Sequence, residues 1–216
     1  MVHFKQLENG IRLVVKKMDG LMSVTMGVLV GTGACYETDA EDGISHFIEH
    51  MMFKGTKTRS SFTISDEMDR IGAEKAFEIL ADLFLNSTFP EEEMVKEKGV
   101  IIEEINMNED TPDDLCLDLV GEAYYGKGGY GRNILGPRKN VSGFMGADVR
   151  KYMALRYTTD NIVVAMAGNI DIELAEDMTR KYFSALKPSA ADKRVLWLCL
   201  GELLYFLYNQ VSYLLS

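Results

Sequence analysis

The stretch Gly43-Ile44-Ser45-His46-Phe47-Ile48-Glu49-His50-Met51-Met52-Phe53-Lys54-Gly55-Thr56 places apolar residues at Ile44, Phe47, Ile48, Met51 and Met52. These positions are i, i+3, i+4, i+7 and i+8, one apolar stripe on an α-helix running from about 43 to 53. Gly55 is its stop signal. His46 and His50 stand four apart, so a helix puts both imidazoles on one face, about 5–6 Å apart at Cβ.

Upstream of this helix the pattern changes period. Residues 3 to 9 and 11 to 17 flank Asn9-Gly10, a tight-turn dipeptide, and Ile11, Leu13 and Val15 share one strand face. A third strand, Val24 to Val30, ends in Gly31-Thr32-Gly33. Without a third glycine and a crossover helix, that glycine pair is not a dinucleotide loop. Downstream the pattern predicts helices over Ser61 to Ile71, Ala73 to Leu85 (with Phe77, Leu80, Ala81 and Phe84 as the apolar face), Pro90 to about Met107, and Pro112 to about Tyr124. Thr111-Pro112 reads as an N-cap followed by proline at the first helical position. A loop over Gly126 to Gly136, a helix over Ala147 to Tyr157, a buried strand over Asn161 to Ala167 and a helix over Asp171 to Leu186 complete the order. Strands first and helices later predict an α+β fold, an antiparallel-rich sheet flanked by helices.

The chain has 216 residues, enough for one domain or slightly more with its own core. Apolar residues make up 47% and charged residues 26%, the mix of a globular protein rather than a disordered or collagen-like one. Twenty-three basic and 33 acidic residues give a net charge of −10. That balance argues against sequence-independent nucleic-acid binding and suits basic peptide substrates. Cys35, Cys116 and Cys199 are too scattered for a zinc ribbon. With no apolar leader behind basic residues, they point to a reducing, cytoplasmic setting. Cys35 is expected packed at a strand end, Met51, Met52, Met68 and Met94 to fill core, and Ser60, Ser61 and Thr63 to start a helix.

His46-Phe47-Ile48-Glu49-His50 is the inverted zinc-peptidase motif H-x-x-E-H. Two imidazoles at this spacing reach one metal ion, and Glu49 beside them is placed to polarise a metal-bound water. A third protein ligand is needed. Glu97, Glu103 and Glu104 lie on the fourth helix, and Glu97 and Glu104, seven apart, share one face. A carboxylate there completes a His2Glu site. A solvated charged face accounts for the same residues, because Glu91-Glu92-Glu93 and Lys96 surround them.

The run 43–56 resembles the zinc-site helix of the pitrilysin/insulinase family of metallopeptidases. Further stretches match it in order: Val100-Ile101-Ile102-Glu103-Glu104-Ile105, Asp110-Thr111-Pro112-Asp113-Asp114, Gly131-Arg132-Asn133-Ile134-Leu135-Gly136, and Arg156-Tyr157 to Asn169. The resemblance covers roughly residues 3 to 188 and is closest to bacterial processing-peptidase-like members. It implies that His46, His50 and Glu104 hold Zn2+, that Glu49 is the general base, and that Glu97 is a supporting acidic residue. It implies a zinc-dependent endopeptidase acting through a metal-activated water. It also implies α+β domains used in pairs that close around a peptide substrate, so a second peptidase-like domain or subunit is the expected partner.

The sequence departs from that pattern twice. At Ile71-Gly72-Ala73-Glu74 the chain passes from one helix directly to another, where the family places one or two strands. Only 53 residues separate His50 from Glu104, against about seventy-five in the family pattern. Loop closure tolerates such a change cheaply, but losing a strand removes ladder hydrogen bonds. By resemblance, that strand is also where substrate backbone pairs. The second departure is the end. Residues 1–188 form the zinc-peptidase-like domain, whereas 189–216 make an apolar tail, in which 195–215 is long enough for a membrane helix. Glu202 and the fading apolar density after Tyr208 favour a tail foreign to the family over an anchor. The alternative function is therefore a non-catalytic partner subunit or an inactive truncated fragment. The intact H-x-x-E-H argues against the partner reading, since inactive halves commonly lose it.

Overall fold

In the computed structural model, residues 2–68 and 72–188 are described, and they form four strands and eight α-helices. The order is β1 (His3–Gln6), β2 (Arg12–Lys17), β3 (Val24–Val30), α1 (Ile44–Met52), α2 (Ser61–Met68), α3 (Ala73–Asn86), α4 (Glu91–Asp110), α5 (Pro112–Tyr125), α6 (Arg138–Gly143), α7 (Gly146–Arg156), β4 (Ile162–Gly168) and α8 (Ile172–Phe183). The tail 189–216, with the span considered at 195–215, lies outside the described residues. So does Ile71 of the junction between α2 and α3. No helix among the described residues is long and apolar enough to cross a membrane.

The sheet runs β1-β2-β4-β3. β1 with β2 and β3 with β4 are antiparallel, but β2 with β4 is parallel, with Val15 opposite Met166. The α+β expectation holds, with a mixed sheet. A parallel neighbour needs a crossover, and here seven helices intervene between β3 and β4. β4 is buried along its whole length, as an unbroken apolar run paired on both edges should be. β2 also departs from strict alternation, because Val14 is buried together with Leu13 and Val15. β1 is shorter than expected, since the turn begins at Leu7. Leu7 N–H donates to Ile11 O at 2.8 Å and Gly10 N–H to Leu7 O at 2.9 Å. Gly10 sits at φ +96°, a conformation that favours glycine.

The chain forms two compact units. One holds the sheet, the first part of α3, and α8. α8 packs on β2, and its fully buried Phe183 meets Phe77 of α3 with ring centroids 5.7 Å apart. On α3, Leu80 is only half-buried, and Ile79 takes a buried place instead. The other unit holds α1, α2, α4 to α6 and most of α7. There Ile44, Phe47, Ile48 and Met51 of α1 are buried as their spacing requires, and Phe47 meets Phe144. α4 buries Met94, Glu97, Ile101 and Ile105, a stripe that includes one carboxylate.

Two local expectations are corrected. Thr111 stands before Pro112 but does not cap α5 with its side chain, which instead donates to Met107 O at 2.7 Å. α6 falls where no helix was expected. Ser60 does start α2, its Oγ accepting from Thr63 N–H at 3.1 Å.

Candidate metal centre

The start of α1 is fixed before its histidines are reached. The buried Glu37 carboxylate accepts from Gly43 N–H at 2.7 Å and Ser45 N–H at 2.9 Å. It therefore satisfies N–H groups that a helix start leaves unpaired. Gly43 has φ +92° and is covered by the backbone at Gly136. A Cβ on Gly136 would fall 2.5 Å from Gly43 Cα, so only glycine permits this approach. Arg132, buried in the same loop, donates to Asp39 at 2.9 Å and to Asp42 at 2.8 Å. The loop thus seats the helix that carries His46 and His50.

One turn on, α1 presents His46 and His50 to Glu104 of α4. The two Nε2 atoms are 3.2 Å apart. Glu104 Oε2 lies 3.6 Å from His46 Nε2 and 3.5 Å from His50 Nε2. Among the described residues this is the one His/Cys/Asp/Glu cluster able to hold a metal ion. His50 Nδ1–H donates to Glu97 Oε1 at 2.8 Å, which leaves the Nε2 lone pair facing the cluster. Glu97 Oε2 pairs in turn with Lys54 Nζ at 2.6 Å. Burial pushes the Glu97 carboxyl up, but hydrogen bonds from Lys54 and His50 outweigh it and hold the group below the usual carboxylate value. Burial, and then the neighbouring His50, push the His46 imidazole down, toward the neutral form that a metal ligand requires.

Glu104 Oε2 is buried without a hydrogen-bond donor, although the side chain as a whole is 45% exposed. A carboxylate oxygen without a donor and two imidazole nitrogens brought this close form a set of atoms that a cation among them would satisfy together. Zinc binds such atoms at about 2.0–2.2 Å in a tetrahedral arrangement, which sets them about 3.3–3.6 Å apart. The observed separations and the N2O donor set fit that ion.

Glu49 lies exposed on α1 beside His46 and His50, and its charge is felt by His46. It makes no hydrogen bond or ion pair with the described residues. Glu103 points elsewhere, accepting from Asn106 Nδ2 at 3.3 Å. Three residues of the supporting frame, Lys54, Glu37 and Arg132, carried no signal of that role in the sequence, because their partners are set by the fold. A groove of about 450 Å³ adjoins the cluster, lined by His46, Glu104, Asp114, Asp118, Asn133 and apolar atoms of Met107, Ile134 and Leu135. Asn133 fixes one wall, donating to Asp118 Oδ2 at 2.6 Å and accepting from Leu135 N–H at 2.8 Å.

The model of the family described as Insulinase (Peptidase family M16) matches residues 13–75 and 71–138. The model of the Peptidase M16 inactive domain matches 145–203. An uncharacterized zinc protease of Bacillus subtilis, YmxG, is 40% identical over 200 residues, covering 82% of this chain and 49% of the relative. The human mitochondrial-processing peptidase subunit beta is 32% identical over 199 residues, covering 82% of this chain and 40% of that subunit. The crystal structure of a protease from Helicobacter pylori shares the fold, with TM-score 0.81 and 21% identity over 90% of this chain and 52% of that one. The chain spans about half the length of the bacterial relatives it matches.

Proposed function

The chain belongs to the insulinase family, peptidase family M16, and from that premise we propose that residues 1–188 are the zinc-binding half of a metalloendopeptidase. The observation that carries this reading is the His46–His50–Glu104 triangle, with Glu104 Oε2 buried and undonated at its corner. These three residues would hold Zn2+, which when bound polarises a peptide carbonyl and lowers the pKa of a coordinated water to about 7.

The other residues supply position and proton transfer. Glu97 fixes the His50 tautomer, and Lys54 neutralises Glu97 in its buried place. Glu49, exposed beside the ligands, accepts the proton of the attacking water. Asp114, Asp118 and Glu104 line the adjoining groove, and among the described residues no Lys or Arg does. That lining favours peptides with cationic side chains. A second peptidase-like domain or subunit closes on the substrate, consistent with a chain half as long as its bacterial relatives. A non-catalytic partner role is the second reading, favoured by the match of 145–203 to the inactive-domain model. The complete ligand set weighs against it.

Zinc per chain, measured by elemental analysis after dialysis against metal-free buffer, tests the proposal. A value near one is expected. A value near zero would mean that α1 and α4 do not hold the ion, and the chain would then be an inactive fragment.

A further inference from the structure

The sheet ends on β3, which pairs with β4 alone among the described residues. The register determines which backbone groups that pairing uses. Ser23 O accepts from Asn169 N–H at 3.0 Å and Gly31 N–H donates to Asn161 O at 2.7 Å. Alternation then assigns the odd-numbered residues of β3 to β4. Val24, Met26, Val28 and Val30 turn their N–H and C=O groups to the edge that no other described strand pairs with. Native proteins blunt such an edge with lysine, proline or a bulge. β3 has none of these, and the chain carries no charged residue from Gly20 to Tyr36.

We propose that a second copy of this chain pairs with that edge, β3 against β3, antiparallel about a two-fold axis at Gly27. This register sets Val24 opposite Val30 and Met26 opposite Val28, so every outward group finds a partner. Gly27 faces Gly27 at the close, non-hydrogen-bonded position, where Cα atoms lie about 4.5 Å apart. Charge selects the same occupant. With a net charge of −10, most of the surface repels a copy, and a neutral segment meeting itself opposes no like charges. A cationic peptide, the ligand that suits the metal groove, finds no carboxylate on β3. The contact is isologous and closes at two copies rather than growing into a fibre.

The full 216-residue chain is tested by sedimentation velocity over a concentration series and by cysteine cross-linking. A Cβ built at Gly27 meets no atom within 4 Å, so Gly27→Cys is accommodated, and the facing Cα atoms fall in disulfide range. Expected are a monomer–dimer equilibrium and oxidised Gly27→Cys dimers well above those of the parent chain, with Thr25→Cys at the parent level because it faces Leu29. Val28→Pro removes an edge N–H that β4 does not use, and is expected to yield monomers whose melting temperature matches that of the parent chain diluted to the monomer. A chain that stays monomeric, a dimer that survives Val28→Pro, assemblies that grow past two copies, or Gly27→Cys cross-linking at the parent level would each overturn the proposal.

Discussion

Glu97 shows how one residue ties the core to the site. It occupies a position in the buried stripe of α4, between Met94 and Ile101, where an unpaired carboxylate is costly. Lys54 and His50 are therefore obligatory partners, and the same bonds orient the imidazole. Glu97→Gln keeps the shape but weakens both bonds. Zinc affinity is expected to fall about 10- to 100-fold, read by competition with a chromophoric chelator. Unchanged affinity would reduce Glu97 to a packing residue. Glu49 gives the opposite signature, because it is exposed and outside the ligand cluster. Glu49→Gln should retain one zinc per chain and lose peptide hydrolysis, whereas His50→Ala should lose the metal. Zinc lost together with activity in Glu49→Gln would refute its assignment as base. The spacing of His46 and His50 was legible in the sequence because four residues is a helical constant. The choice of Glu104 over Glu103 came from the family resemblance; without it, both sit on one charged helix until its buried face is known.

At the scale of elements, the connection leaving α1 is held by a buried acid rather than by apolar packing. Asp82 of α3 accepts from Thr56 at 2.7 Å, Thr58 at 3.0 Å, Arg59 at 2.7 Å and Asn86 at 2.8 Å. Burial raises the Asp82 carboxyl, but these donors together hold it below its ordinary value of 3.8. A depressed folded-state pKa stabilises fully above the unfolded value, and the contribution is lost as pH falls through the folded one. Asp82→Asn should cost about 2–3 kcal/mol at neutral pH, measured by urea unfolding. Its deficit relative to the parent chain should shrink below pH 3.8 and be constant above about pH 5. A deficit independent of pH would show that the charge is not what these donors recognise. Elements with strong periodic patterns, α1 and β4 above all, were legible in the sequence. α6 was not, because six residues with one buried side chain, Val141, leave no period to detect. Nor was the parallel pairing of β2 with β4, which joins segments some 150 residues apart and has no local cause.

At the scale of the whole molecule, the proposed zinc ligands and their supports fall within one compact unit. His46, His50, Lys54, Glu97 and Glu104 all belong to it. Under the proposed function, holding zinc therefore asks nothing of a second half, whereas gripping a peptide across the groove would. The two properties should separate experimentally. Zinc at 100 times its Kd should stabilise the isolated chain by about 2.7 kcal/mol, a rise of about 5–10 °C in Tm for a chain of this size. That shift should be indifferent to any added partner. Hydrolysis of a fluorogenic peptide rich in Lys and Arg should rise at least about 10-fold when the second half of the Bacillus subtilis relative is supplied in trans, because closure positions the peptide bond against Glu49. Full hydrolysis by the isolated chain would show that the groove beside α4 and α5 positions substrate unaided. A Tm that rises with zinc while hydrolysis stays absent with the partner present would shift the assignment to the non-catalytic role.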